Sequence, residues 1–483
     1  MLARPRALLL ALLLLFPLGC SPLGDDDDSA GLDDDDDAVP STYAFASRYD
    51  GASSVSYSGQ TMRQALLVAF SSHVADLTER VDGGWVPSPG DVVAELTAWY
   101  AFDSASAGDR EHGVPTDPAA LQATWDDIGQ GKDLRGKLAG NDPVGHSLAY
   151  ADGLIGWEHA DVARPDDLVL LWFAQVEALC IARANGATPA DPTGAAIPRA
   201  ALSPEGLDLE QLLAKFLGVA VAFSQGADDY LDDDEPGKGL LSDHSAAEEG
   251  ENFTALEHAW DEAFGYFGAP RDFGDYSDDE TASAGGRADW QGMHDSDGDG
   301  AIDLRSERLF GHAVNAGKRD RGAVAATDFT GQAWRAFLEG RALINSVDGP
   351  LTADQLAALA AHRDAAVAAW EAALAATAVH YINEVLVDMA AFGGADYAFA
   401  DHAKHWSELK GFTLGLQFNP RSPLHDDFAA FHDLLGQAPV LSDADPAAVT
   451  AYAEALLSAR ALLGAAYGFD AANLGDVDGH GGW

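Results

Sequence analysis

The sequence predicts an all-α protein, a large helical bundle built as one body or as two helical lobes. Three observations predict it. Apolar residues recur at three- and four-residue spacing through nine segments, at 60–80, 89–103, 166–185, 204–231, 253–267, 327–346, 352–391, 396–417 and 446–467. Helix starts and stops punctuate them: Ser88-Pro89 and Ser203-Pro204-Glu205 read as N-caps with proline in the first turn, and Asn185-Gly186 and Gly393-Gly394 as breaks. Period-two alternation is confined to a short piece near residues 53–57.

Taken in order, the chain opens with Arg4 and Arg6 ahead of an apolar run from Ala7 to Phe16. That run is too short to span a bilayer and has the length of a signal-peptide core, so residues 1–19 read as a signal peptide. Gly19 directly before Cys20 resembles a bacterial lipobox, with Pro17 where leucine is usual, and Cys20 is the expected lipidation site. Ser21 beside it implies, by that resemblance, delivery to the outer membrane, on its periplasmic face or at the cell surface. Residues 20–40 then read as an acidic tether with nothing to bury.

Residues 41–470 read as a single helical domain, interrupted at 269–326 by a long Asp-, Gly- and Ser-rich excursion, and 471–483 as a flexible tail. A long loop inside a compact domain needs an organiser, and a metal ion is the candidate. The formal net charge is −50 over 483 residues, and −43 once residues 1–37 are set aside. So negative a surface repels phosphate backbones, which excludes nucleic acid as a partner. The tether apart, the one cysteine left after processing is Cys180, in an apolar stretch that reads as core.

Two sets of residues point to chemistry. Asp295, Asp297, Asp299 and Asp303 stand at positions 1, 3, 5 and 9 of a calcium-loop template, with Gly300 at position 6 and the Ala301 carbonyl at 7. Position 12 holds Ser306, and Glu307 comes one residue late, so a shorter loop than an EF-hand is expected, with calcium in a structural role. The second set is three histidines, each with acids one turn away: His258 with Asp261 and Glu262, His380 with Glu384, and His405 with Glu408. Bundles build metal sites from inward His and Glu at this spacing, and imidazole plus carboxylate suits iron, zinc or manganese. Each pair reads equally as a core histidine held by a local acid. His402 and Lys404 read as solvated neighbours of His405. No HExxH motif, no Gly-x-Ser-x-Gly elbow and no phosphate-binding loop occurs.

The stretch 257–268, EHAWDEAFGYFG, resembles a signature of an uncharacterised bacterial lipoprotein family, domain of unknown function 4856. Ser56 to Thr61, Gly340-Arg341, His380 to Glu384 and Ala403 to Pro420 resemble it too, so the similarity runs over most of 43–468. The helical make-up and the histidine–acid pairs look more loosely similar to imelysin-like envelope proteins, which are tied to iron acquisition and were once considered peptidases. Their Gly-x-His-x-x-Glu motif is matched here only in part, by His405 and Glu408 with Ala403 in the glycine place, and by His258 with Asp261 behind Leu256. The resemblance implies a non-catalytic outer-membrane lipoprotein that binds iron, another transition metal or haem and works with an outer-membrane uptake receptor. Trp260, Phe264, Tyr266 and Trp406 would then wall a haem pocket. A metal-dependent peptidase and a calcium-stabilised structural or adhesive surface module stay open as alternatives.

Overall fold

A computed structural model describes residues 39–142 and 153–483, so the signal peptide, Cys20 and nearly all of the tether lie outside the described residues. The described residues hold fifteen α-helices and no strand. Residues 39–483 form one compact unit, so the bundle is a single body and not two lobes.

The helices follow the apolar periodicity. α1 (Ser58–Asp82) and α2 (Asp91–Tyr100) are joined by a Gly-Gly turn, and the short α3 (Ser104–Ala107) and α4 (Trp125–Ile128) lead into α5 (Pro165–Ala184), whose first residue is proline. α6 (Leu209–Leu217) starts on the Asp208 cap and runs on through two π-helical turns, Gly218–Phe223 and Gly226–Tyr230. Gly226 lies against the Trp370 indole, where a Cβ would come within 2.6 Å of the ring. α7 (Ala255–Phe267) begins in a capping box, with Thr254 Oγ1 accepting from the Glu257 amide and Glu257 Oε2 accepting from the Thr254 amide. α8 (Asp278–Thr281) and α9 (Gly311–Gly322) come next, then α10 (Phe329–Asn345) and α11 (Ala353–Ala390). α12 (Phe399–Thr413), α13 (Phe428–Leu435), α14 (Pro446–Tyr467) and the short α15 (Ala471–Leu474) complete the order.

α11 is the central element, packed against α9, α10, α12 and α14. It is long and apolar enough to cross a membrane, but most of its apolar window is buried inside the domain, which marks it as a core helix. Cys180 is fully buried on α5, as expected, and burial pushes its thiol up to about 11.

Two expectations are corrected. The excursion at 269–326 is not loop throughout: it contains α9, which puts His312, Ala313 and Ala316 in the core. Side-chain contacts organise part of it. Glu280 accepts from Ser277 N, Arg287 N and the Arg287 guanidinium, and the Trp290 ring is sandwiched by Arg287 and His294. Residues 471–483, expected as a flexible tail, fold back onto the bundle. Trp483 is buried and donates from Nε1 to the Arg319 carbonyl, and buried Asn473 accepts from the Val324 and Ala325 amides. The glycines of that segment let its backbone lie directly on Asn383 of α11.

Candidate functional site

The sequence motifs around EHAWDEAFGYFG converge on one helix, α7. Its inner face carries Asp261, fully buried, whose Oδ1 accepts from Arg341 Nε at 2.9 Å and from the Tyr43 hydroxyl at 2.8 Å, while Oδ2 accepts from Ser56 N at 3.1 Å. The residue before the arginine matters as well: Gly340 leaves the space that the Trp260 indole fills. Gly340-Arg341 and Trp260-Asp261 are thus two halves of one contact. Asp261 is a structural partner of Arg341, not a metal ligand. Trp260, Phe264, Tyr266 and Trp406 are core rings and wall no haem pocket; Trp260 donates to the Phe337 carbonyl and Trp406 to the Tyr452 hydroxyl.

The outer face of α7 presents His258 and Glu262 to a cleft of about 370 Å³. His258 Nδ1 lies 3.0 Å from the Ser56 carbonyl oxygen, which can only accept, so Nδ1 carries a proton and Nε2 is the nitrogen turned to the cleft. That Nε2 is 3.7 Å from Glu262 Oε1, and the ring is stacked on Phe253 with centroids 4.7 Å apart. Gln60 Nε2 donates to Glu262 Oε1 at 2.6 Å and orients it. The opposite wall comes from the second π-helical turn, which delivers Asp229 and Tyr230. Lys137 reaches in from the facing segment, 3.8 Å from Asp229 and over the Tyr230 ring, and is also paired with Asp142. π turns are rare and cluster at functional sites, because the extra residue re-aims the side chains beyond it.

The other two pairs lie elsewhere, on α11 and α12, and do not join His258. His380, Glu384 and Asp388 form a seam along α11 facing His405 and Glu408 of α12. His405 is held by Asp388, Nδ1 to Oδ2 at 2.8 Å, and not by Glu408; this hydrogen bond draws its pKa up despite partial burial. Glu408 is buried and paired with Lys215 at 3.2 Å. His380 stands 3.9 Å from Glu384, and burial, with Arg319 beside it, pushes its pKa down to about 3. Two cations, Lys318 and Arg319, face this seam. His402, expected in solvent, is fully buried, and Lys404 is half-buried.

The calcium-loop residues do come together. Among the described residues, one group of three acids has ligand oxygens all within 4.8 Å of one another: Asp295, Asp297 and Asp299. Their carboxylates accept from the amides of Gly298, Gly300 and Ala301, which curls the loop around them. Asp303 and Glu307 are engaged otherwise. Asp303 Oδ1 accepts from Gln122 and Arg305, and buried Glu307 bridges Ser296 and the Asp303 amide as the loop's internal strut. A bridge between Met293 and Arg308 clasps the base, and one between Ala120 and Ile302 ties the loop to the body. Ala301 sits at the turn with its amide bound to Asp299.

Asp229, Tyr230 and Lys137 were not anticipated as site residues. The cue available in the sequence is Gly226-Ala-Asp-Asp-Tyr230, a polar cluster at the end of a long apolar helix.

Residues 184–281 match the family model described as Domain of unknown function (DUF4856), about a fifth of the chain. The resemblance read from EHAWDEAFGYFG therefore holds over the segment that contains α7, both π turns and, of the cleft, Asp229, Tyr230, Lys238, His258 and Glu262. No curated protein and no solved structure matches the chain.

Proposed function

We propose that this protein is a non-catalytic binding component of the bacterial envelope, lipidated at Cys20, which holds a transition-metal ion, iron foremost, or the iron of a haem at His258 and Glu262. The observation that carries this is the His258 tautomer. A backbone carbonyl holds Nδ1–H, so the other ring nitrogen, Nε2, is turned to the cleft beside a carboxylate, the way metal-binding histidines are fixed by a hydrogen bond from their other ring nitrogen. Two protein ligands from one helix leave coordination positions open, which suits a metal that arrives with its own ligands and is passed on, here to an uptake receptor in the outer membrane. His380, Glu384, His405 and Glu408 then serve as packing groups between α11 and α12.

The test is metal analysis of the purified protein after challenge with ferrous iron, zinc, manganese and haem. The expected result is near-stoichiometric retention of one of them, reduced about 10-fold or more in apparent affinity by His258→Ala and by Glu262→Gln, and unchanged by His405→Ala. Retention that ignores His258, or no retention at all, overturns the reading. The same samples incubated with an unstructured protein substrate test the peptidase alternative, which requires metal-dependent cleavage lost in Glu262→Gln. Incorporation of labelled fatty acid, lost in Cys20→Ala, tests the anchor.

A second reading, a calcium-stabilised surface module, is favoured by the convergence of Asp295, Asp297 and Asp299. The donor set is all hard oxygen, which fits calcium and not a softer metal. Calcium at about 100 times its dissociation constant is expected to add about 2.7 kcal/mol to stability, raising Tm by several degrees. Asp297→Asn should remove most of that rise. A Tm indifferent to calcium, or a rise unchanged in Asp297→Asn, rejects calcium at this loop.

A further inference from the structure

The largest cavity among those described is remote from α7. It is a half-open cavity of about 780 Å³ between α10, α11 and α14, and the folded-back segment closes one side. Four aromatic rings wall it. Phe469 meets Trp483 edge-on, centroids 4.8 Å apart at 81°, Phe329 lies 6.1 Å from Trp483, and Tyr467 stacks on Phe469 at 5.6 Å. Tyr467 and Phe469 are half-buried, whereas Trp483 is buried.

Glu371 lines the same cavity from α11 and is 1% exposed. Its carboxylate accepts from Ser422 Oγ at 2.5 Å, from the Tyr467 hydroxyl at 2.7 Å and from the Asn419 side-chain amide. Every one of these donors is neutral. The cation in the lining, Arg421, hydrogen-bonds Asp232 Oδ1 at 2.9 Å and the Ala227 carbonyl at 2.5 Å, and acts on Glu371 through its charge alone, opposing the effect of burial. Burial still pushes the Glu371 pKa up. Asp364, paired with Arg363 at 2.6 Å, and Asp470 also line the cavity, both exposed.

We propose that this cavity binds a small organic cation bearing a quaternary ammonium head, seated on the faces of Phe469, Tyr467 and Trp483 and neutralised by Glu371. The rings supply cation–π attraction, which is strongest where the cation is desolvated. The quaternary class comes from the hydrogen bonding. Three of the roughly four acceptor sites of Glu371 are taken, so the carboxylate offers charge but little acceptor capacity. A methylated head makes no demand on that carboxylate's acceptor sites, whereas a primary ammonium would have to turn to Asp364, Asp470 or water for its N–H groups. This proposal is independent of the metal reading, because no residue of the α7 cleft lines the cavity.

The experiment titrates the intact protein with choline and with its neutral isostere 3,3-dimethylbutan-1-ol, read by calorimetry. Choline is expected to bind about 10-fold or more tightly than the alcohol, the gap that a desolvated cation–π contact with a carboxylate behind it confers. Glu371→Gln, which can keep the hydroxyl hydrogen bonds, is expected to close that gap by weakening choline alone. Phe469→Leu, at a half-buried ring, provides the second variant if Glu371→Gln does not fold, and is expected to weaken choline more than the alcohol. Equal affinity for the two probes, or no choline binding up to about 10 mM by a folded protein, overturns the proposal.

Discussion

Arg341→Met is expected to destabilise the protein by about 3–5 kcal/mol, the cost of leaving a buried carboxylate without its cation. The guanidinium is fully buried, with Nε on Asp261, Nη2 on Ser54 Oγ at 2.7 Å, Nη1 3.4 Å from Glu257 and its plane over the Phe45 ring. Methionine fills much of the volume but offers none of the donors. Asp261 would keep the Tyr43 hydroxyl and the Ser56 amide, and would respond by taking up a proton, since burial already pushes its pKa up. That fixes the sign of the pH dependence. A carboxyl whose folded pKa lies above its unfolded value binds more protons when folded, so stability falls as pH rises between the two values. The deficit of the variant should therefore widen from pH 5 to pH 8. Urea unfolding at both pH values measures it, and a deficit below about 1 kcal/mol, or one that narrows over this range, contradicts the account.

Lys410→Met is expected to do the reverse and stabilise the protein at neutral and acid pH. Lys410 is fully buried on α12, its Nζ donating to the Gly436 carbonyl at 2.7 Å and to His432 Nδ1 at 3.1 Å. Among the described residues no carboxylate is hydrogen-bonded to it; burial pushes its pKa down to about 7, with Asp433 and Glu158 opposing from a distance. His432 is held in the matching tautomer, with Nε2–H directed to the Thr413 carbonyl, and burial together with Lys410 keeps it neutral. Against an unfolded value of about 10.4, the depressed pKa means that the unfolded chain binds the extra proton between pH 7 and 10. Stability contributed by this site rises with pH across that window and the burden is full below it, at about 4–5 kcal/mol. Methionine removes the burden but strands the Gly436 carbonyl and His432 Nδ1, at about 1–3 kcal/mol. The net gain of about 1–3 kcal/mol at pH 6 should shrink and then reverse towards pH 10. Parallel denaturant curves at pH 6 and pH 10 decide it, and an advantage that grows with pH would refute a buried ammonium at this position.

These two residues also show what could be read from sequence and what could not. The long helices were legible because an apolar stripe repeats with the helix period, but the two starts read from Ser88-Pro89 and Ser203-Pro204 fall early: α2 begins at Asp91 behind Gly90, and α6 at Leu209 on the Asp208 cap. α9 was not: GHAVNAGKRDRG shows only a few small apolar residues, and its burial comes from close approach to α11, which composition does not encode. EHAWDEAFGYFG marked the right helix, but not which of its acids faces the core. Asp261 and Glu262 are adjacent, and one turned inward to Arg341 while the other lines the cleft. Asp388 escaped notice because it lies two turns from His380 and reaches a histidine on another helix. Lys410 and Glu371 sit among apolar neighbours, Leu409 and Gly411 in one case and Trp370 and Ala372 in the other, which is the trace that burial of a charge leaves in sequence. The fold-back of 471–483 left none, because glycine-rich sequence reads alike whether it packs or not.

The two π turns have an arithmetic of their own. Each holds one residue more than an α turn would, so removing a single residue between Gly218 and Phe223 would let the helix relax and would swing its later residues by about 100° around the axis. Asp229 and Tyr230 would then leave the cleft wall while the helix itself survived. The contents of this wall are thus set by chain length as well as by residue identity. Among homologous chains, gain or loss of one codon here would exchange the whole set of groups facing His258, a larger step in ligand preference than any one substitution allows.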